Sequence, residues 1–233
     1  MLEAGGWGLF AASSLVFGAI LSFTGWIRAR PLRLVTAFGA GVLISAVAYE
    51  LVEEAVLESA GGVAVASGFI LGSLVFYGGS ALVERWSSQR SHGTGILFGA
   101  ALDAIPESVV LGVSLLAGGA ISVAVLVAVF ISNIPEALAS TSQLEAAGHK
   151  RGRILGVWIL VAGVSGVAAA VGYAALGTAG LDVIGFIEAF AAGAILTMLA
   201  DDMIPAAYKQ GDRLPGVAAA LGFAVAALLS FST

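Results

Sequence analysis

Two short stretches set charged and polar groups at a helical repeat: Asp103-Ala104-Ile105-Pro106-Glu107-Ser108 and Ser132-Asn133-Ile134-Pro135-Glu136-Ala137. Residues four apart share one face of a helix, so Asp103 lies with Glu107 and Ser132 with Glu136, while Asn133 sits three before Glu136. Each proline lacks an N–H and crowds the carbonyl four residues back, which frees the oxygens of Leu102 and Ile131. Two facing helices of this kind converge carboxylate, amide, hydroxyl and carbonyl oxygens on one point. Such a donor set suits divalent cations from Mg²⁺ to Mn²⁺, and admits Zn²⁺ without the nitrogen or sulfur ligands it favours.

The surroundings make these groups expensive. Charged residues are 11% of the chain and hydrophobic ones 59%, with a mean hydropathy of +1.03; a soluble domain carries about 25% charged residues. The chain reads as an all-α polytopic membrane protein in contact with a lipid bilayer. A charge near the bilayer centre costs roughly 2.5–3.5 kcal/mol on insertion scales, so an intramembrane carboxylate is a functional residue by default. All ten Lys and Arg, and both histidines, fall outside the apolar runs. Asp103, Glu107 and Glu136 must therefore be protonated, solvated in a water-filled cavity, or neutralised by a bound cation.

Apolar runs long enough to cross about 30 Å of hydrocarbon need about 20 residues. They occur at Trp7–Ile27, Leu34–Leu57, Gly61–Val83, Thr94–Ala117, Ala120–Leu144, Ile154–Leu176, Val183–Tyr208 and Leu214–Phe231, which predicts a single domain of eight transmembrane helices. The first is a retained span, since it lacks a signal peptide's charged start and small-residue cleavage site. The basic residues are Arg28, Arg30, Arg33, Arg85, Arg90, Lys150, Arg151, Arg153, Lys209 and Arg213, and each falls in an odd-numbered loop. Short cytoplasmic loops hold the excess of Lys and Arg, so both termini are expected outside the cytoplasm. Along that axis Glu50, Glu53 and Glu54 mark the outer mouth and Asp201 and Asp202 the inner one; acids at a mouth attract cations or simply solvate a helix end. Glu188 fits either role.

The stretch AFGAGVLISAVAYELVEE from Ala37 resembles AFAAGAILTMLADDMIPA from Ala189, with Phe38, Gly41 and Glu50 opposite Phe190, Gly193 and Asp202. The loop charges run these two spans in opposite directions, which predicts an inverted 3+2+3 repeat around spans four and five. Small-residue spacings at Gly68/Gly72 and Gly95/Gly99 serve close helix packing more often than dimerisation, so a homodimer is admitted without being required. The absence of cysteine excludes disulfides and thiolate sites. A net charge of −5 argues against nucleic acid. No HExxH, nucleophile elbow or intramembrane nucleophile–base pair marks an enzyme.

These residues resemble the Zrt/Irt-like (ZIP) family of divalent metal transporters, in topology over essentially the whole chain and in motif at the two Pro-Glu stretches. The family builds a binuclear site on spans four and five from HNxPEG-type and (H/Q)(N/D)xPEG-type motifs. Glu107, Asn133 and Glu136 match; Asp103, Ala104 and Ser132 stand where the family has histidine, asparagine and histidine or glutamine. SGVAAAVG from Ser165 resembles the family's SGxxEPxG, with Ala169 in the acid's place. The resemblance implies uptake of zinc by alternating access, while the oxygen donors leave manganese, iron(II) or magnesium open; the short loops and the absence of targeting signals favour a plasma membrane of prokaryotic type. The departures imply one metal held by Asp103, Glu107, Ser132, Asn133 and Glu136. The alternative they motivate is a transport-inactive relative that binds a metal for sensing or structure.

Overall fold

A backbone immersed in hydrocarbon must pair its own polar groups, and the helix does so within each segment. A computed structural model of the chain describes residues 1–26, 29–58, 62–89, 92–118, 121–208 and 213–232, and these are helical apart from short connections. The helices are α1 (Leu2–Phe23), α2 (Ala29–Leu57), α3 (Gly62–Gln89), α4 (His92–Gly118), α5 (Val123–Ala146), α6 (Arg151–Leu176), α7 (Leu181–Ala207) and α8 (Leu214–Ser230). Among the described residues, 7 helices are long and apolar enough to cross a membrane, while α8 is apolar but has 17 residues. The chain is thus a helical membrane protein. The expected span ends Ile27, Gly61 and Ala120, and the basic residues Arg28, Arg90 and Lys209, lie outside the described residues.

The interior is built from small side chains. Ala19, Ala128, Ala137, Ala169, Ala189 and Ala192 are wholly buried, whereas Phe17, Ile70, Leu160 and Leu228 point outward, where lipid covers them. Lipid tails are as apolar as leucine, so helices gain nothing by hiding leucine from them; close backbone approach through Gly and Ala supplies the packing instead. The approach is closest in two pairs. Gly41 of α2 faces the Ala219 carbonyl of α8 and Gly222 faces that of Phe38; Gly193 of α7 faces the Phe69 carbonyl of α3 and Gly72 faces that of Phe190. Phe38 and Gly41 hold the same places in their stretch that Phe190 and Gly193 hold in theirs.

Another group joins α1, α4, α5 and α6. Gly18 meets Ile134 and Ala137, and one turn on Ser22 Oγ lies 3.0 Å from Ser142 Oγ, so α1 and α5 run parallel. Trp158 is wholly buried here, its Nε1 donating to Thr141 Oγ1 at 2.9 Å. Such a bond in a membrane interior contributes only about 0.6 kcal/mol on average, so its main effect is to keep an indole N–H from being stranded.

The two groups meet along α2 and α5. Gly39 packs on Ser132 and Glu50 on Ser122, which runs α2 antiparallel to α5, and Met203 beside Gly39 brings the end of α7 to the start of α2. The described basic side chains therefore collect at one end of the bundle, where Arg151 also pairs with Glu145 at 2.9 Å and lies over the Phe23 ring. Both α2 and α7 widen into a π-helical turn, Val47–Val52 and Leu199–Met203. Such turns concentrate at functional positions. Here they fall at the same place in the two similar stretches, and they carry Glu50, Asp201 and Asp202.

At Gly193 even a methyl group overlaps the Phe69 carbonyl, while nothing faces Gly156 or Gly163 on the outer side of α6. Gly193→Leu is expected to lower stability by at least about 1–3 kcal/mol, the scale of overpacking. Gly156→Leu should leave the thermal midpoint of the purified protein where it is. Equal midpoints for the two variants would refute the packing described.

Candidate functional site

Both prolines lie inside continuous helices, Pro106 in α4 and Pro135 in α5, so the Pro-Glu stretches keep their helical register. That register puts Glu107, Ser132 and Asn133 indoors, at 2%, 1% and 3% exposure, while Asp103 and Glu136 are half-buried. Ser132 Oγ donates to the Val129 carbonyl at 3.0 Å, leaving its lone pairs available, and Ser108 Oγ satisfies the Ala104 carbonyl at 2.6 Å.

Glu107 is the pivotal side chain. Its Oε1 is buried without a hydrogen-bond partner among the described residues. It borders a small cavity lined otherwise by apolar groups: Leu43, Ala46, Val47 and Leu51 of α2, Val110 of α4, Val125, Ala128 and Val129 of α5, and Ile195 of α7. The cavity offers about 10 Å³ to the centre of a water-sized sphere, room for about one water. A carboxyl oxygen stranded in such a wall costs about 1–3 kcal/mol unless something fills its lone pairs.

The carboxyl groups of Asp103, Glu107, Glu136 and Asp202 lie within electrostatic reach of one another: Asp103 acts on Glu107 and Glu136, Glu107 acts on Glu136, and Asp202 acts on Asp103 and Glu136. Sequence reasoning places Asp202 at a mouth; the structure carries its influence to the centre through the π-helical turn of α7. In this conformation no three His, Asp or Glu side chains among the described residues converge tightly enough to hold an ion. Any ligand set assembled here joins one or two carboxylates with Ser132, Asn133 and carbonyl oxygens.

The acids at the other end sort differently. Glu50 is buried, at 8% exposure, and accepts a hydrogen bond from Ser122 Oγ, whereas Glu53 is exposed and Glu54 half-buried. Ser122 is the residue sequence reasoning misses, although a serine just ahead of a helical apolar run is the usual sign of an N-cap. Asp201 and Asp202 are exposed on their turn, and Glu188 is buried at 2%. From the Ser122 end inward come Glu50 and then the apolar cavity that Glu107 borders, while Asp202, Asp103 and Glu136 lie towards the basic end.

Ala104 and Ala169 also have definite places. Ala104 packs with Ala19 and Ala137 in the apolar cluster of α1, α4 and α5. Ala169 is wedged between Gly8 of α1 and Gly112 of α4. A carboxylate has no room at Ala169. No family model matches the chain, and no curated protein is significantly similar to it.

Because Glu107 strands an oxygen in apolar surroundings, Glu107→Met is expected to stabilise the protein in chelator by about 1–3 kcal/mol, the cost of an unsatisfied buried polar group. A rise in the thermal midpoint checks this. A fall would mean that the carboxyl has a satisfying partner.

Proposed function

We propose that this chain transports divalent cations across a membrane by alternating access, in the manner of the ZIP family that its two Pro-Glu motifs resemble. The observation that carries the reading is Glu107: a buried carboxyl with an unpartnered oxygen, next to the proline inside a continuous helix, grouped with Glu136, Asp103 and Asp202. Structural acids are normally paired. This one is kept at a cost, which is the mark of a residue retained for a cation.

Eight crossings with an inverted 3+2+3 arrangement account best for the rest. In support, the α2/α8 and α3/α7 pairs make the same close contacts at corresponding residues, and matching π-helical turns interrupt α2 and α7. The basic end then faces the cytoplasm, by the bias of short loops towards Lys and Arg. The apolar layer beyond Glu107 closes the opposite mouth, and alternating access requires a second conformation in which it opens. Group α1/α4/α5/α6 rocks against the two helix pairs to exchange the open side, and Glu107 and Glu136 give up protons as they take the ion. Oxygen donors favour Mn²⁺, iron(II) or Mg²⁺ over Zn²⁺ relative to a histidine site, while zinc follows from the resemblance.

A second reading has its own support. Ala104 and Ala169 are packing residues, and no three acids converge among the described residues; a relative that binds one ion without moving it fits these facts too. Uptake of labelled Zn²⁺, Mn²⁺ and Fe²⁺ into proteoliposomes separates the two. Metal-dependent flux is expected, and its loss is expected in the double variant Glu107→Ala/Glu136→Ala. Folded protein that binds metal but shows no flux establishes the second reading, and flux that survives the double variant removes these residues from the site.

A further inference from the structure

Glu50 and Ser122 join the two helix groups at a single point. Glu50 sits on the π-helical turn of α2; Ser122 is the residue that starts α5, and it belongs to the other group. Its hydroxyl has two tasks. The oxygen accepts from Val125 N at 3.2 Å, capping α5, and the hydrogen is donated to Glu50 Oε2. Val125, one turn on from Ser122, lines the small apolar cavity together with Val47 and Leu51, which flank Glu50 in α2, and with Glu107. A buried carboxylate so held ties α2 to α5 at the end of the cavity nearer the start of α5. The residue opposite Glu50 in the similar stretch, Asp202, is on the matching turn of α7, yet it is exposed and has no hydroxyl bonded to it among the interactions described.

We propose that the Glu50–Ser122 contact is the latch of the mouth remote from the basic end, and that Glu50, once released, is the first carboxylate an entering divalent cation meets. The proposal rests on the transporter reading for its meaning, but the latch itself is a statement about access. When the groups rock apart Ser122 leaves with α5, the apolar layer opens, and Glu50 turns from a hydrogen-bond acceptor into a cation ligand facing Glu107.

The chain has no cysteine, so a single introduced thiol reports access cleanly. Val125→Cys, at a position 2% exposed beneath the latch, and Ala162→Cys, 4% exposed within α6, are labelled in nanodiscs with a membrane-impermeant maleimide. Ser122→Asp keeps the cap but sets a carboxylate against Glu50; Glu50→Ala removes the acceptor; Ser122→Thr keeps both bonds. The first two are expected to speed labelling of Val125→Cys by about tenfold, the scale of one charge-assisted hydrogen bond. Ser122→Thr and the Ala162→Cys reporter should stay at the starting rate. An unchanged Val125→Cys rate in both opening variants overturns the latch, and so does a parallel rise at Ala162→Cys, which would make the contact a general structural tie. Labelling needs no flux: a shifted rate with no metal uptake leaves the latch standing and removes the transporter reading, whereas uptake with an unshifted rate does the reverse.

Discussion

A carboxyl group among alanines and valines is stable only if something answers its charge or its lone pairs, and Glu107 has nothing of the kind in the described structure. The arrangement of the bundle follows from this constraint. Basic side chains stay at the helix ends, so no lysine or arginine quenches the centre. The prolines at 106 and 135 each remove a backbone donor one position before a glutamate, leaving the carbonyl four residues back without its helical partner. Pairing Glu107 with an arginine would make an ordinary structural ion pair; leaving it unanswered keeps a place for a mobile cation or a proton.

Legibility in the sequence followed the strength of each physical signal. Membrane helices were readable because hydrophobic length is a direct consequence of bilayer thickness. The helices of α1 and α2 begin before Trp7 and Leu34, since polar flanks continue a helix that the apolar count ends. The likeness of the two stretches at Phe38/Phe190 and Gly41/Gly193 was visible as letters, but the reason for it was not: those residues face a neighbouring backbone, a contact between segments far apart in sequence. The burial of Glu107, Ser132 and Asn133 followed from helical spacing. The burial of Glu50 did not, because three glutamates within five residues look like a solvated end, although Glu50 continues the face of the buried Leu43, Ala46 and Val47 while Glu53 stays out. Ser122 escaped notice because its partner lies on another helix.

The contrast between the two kinds of contact bears on how such a bundle moves. Within each group the helices meet through glycine and alanine at backbone distance, as at Gly41, Gly193 and Gly112, and such surfaces have one fit. Between the groups one such approach occurs, Gly39 on the Ser132 backbone, and beyond it lie longer side chains, Leu43, Val47, Val125 and Val129, with a cavity among them. Branched side chains with spare room slide and re-pack at smaller cost than interlocked backbones. Rigid groups and a softer seam are what rocking requires.

That division also explains Ala169. A ligand at this place would have to project from the seam between α1, α4 and α6, where Gly8 and Gly112 leave space for a methyl group and nothing larger. Alanine lets α1, α4 and α6 approach closely, which stiffens the group that carries Glu107 and Glu136. Under the transporter reading proposed above, a site built from oxygen donors of α4 and α5 would hold an ion less tightly than one rich in imidazole. For a carrier that is no defect, because the ion must leave on the far side as readily as it enters, and each added ligand deepens the well it must climb out of.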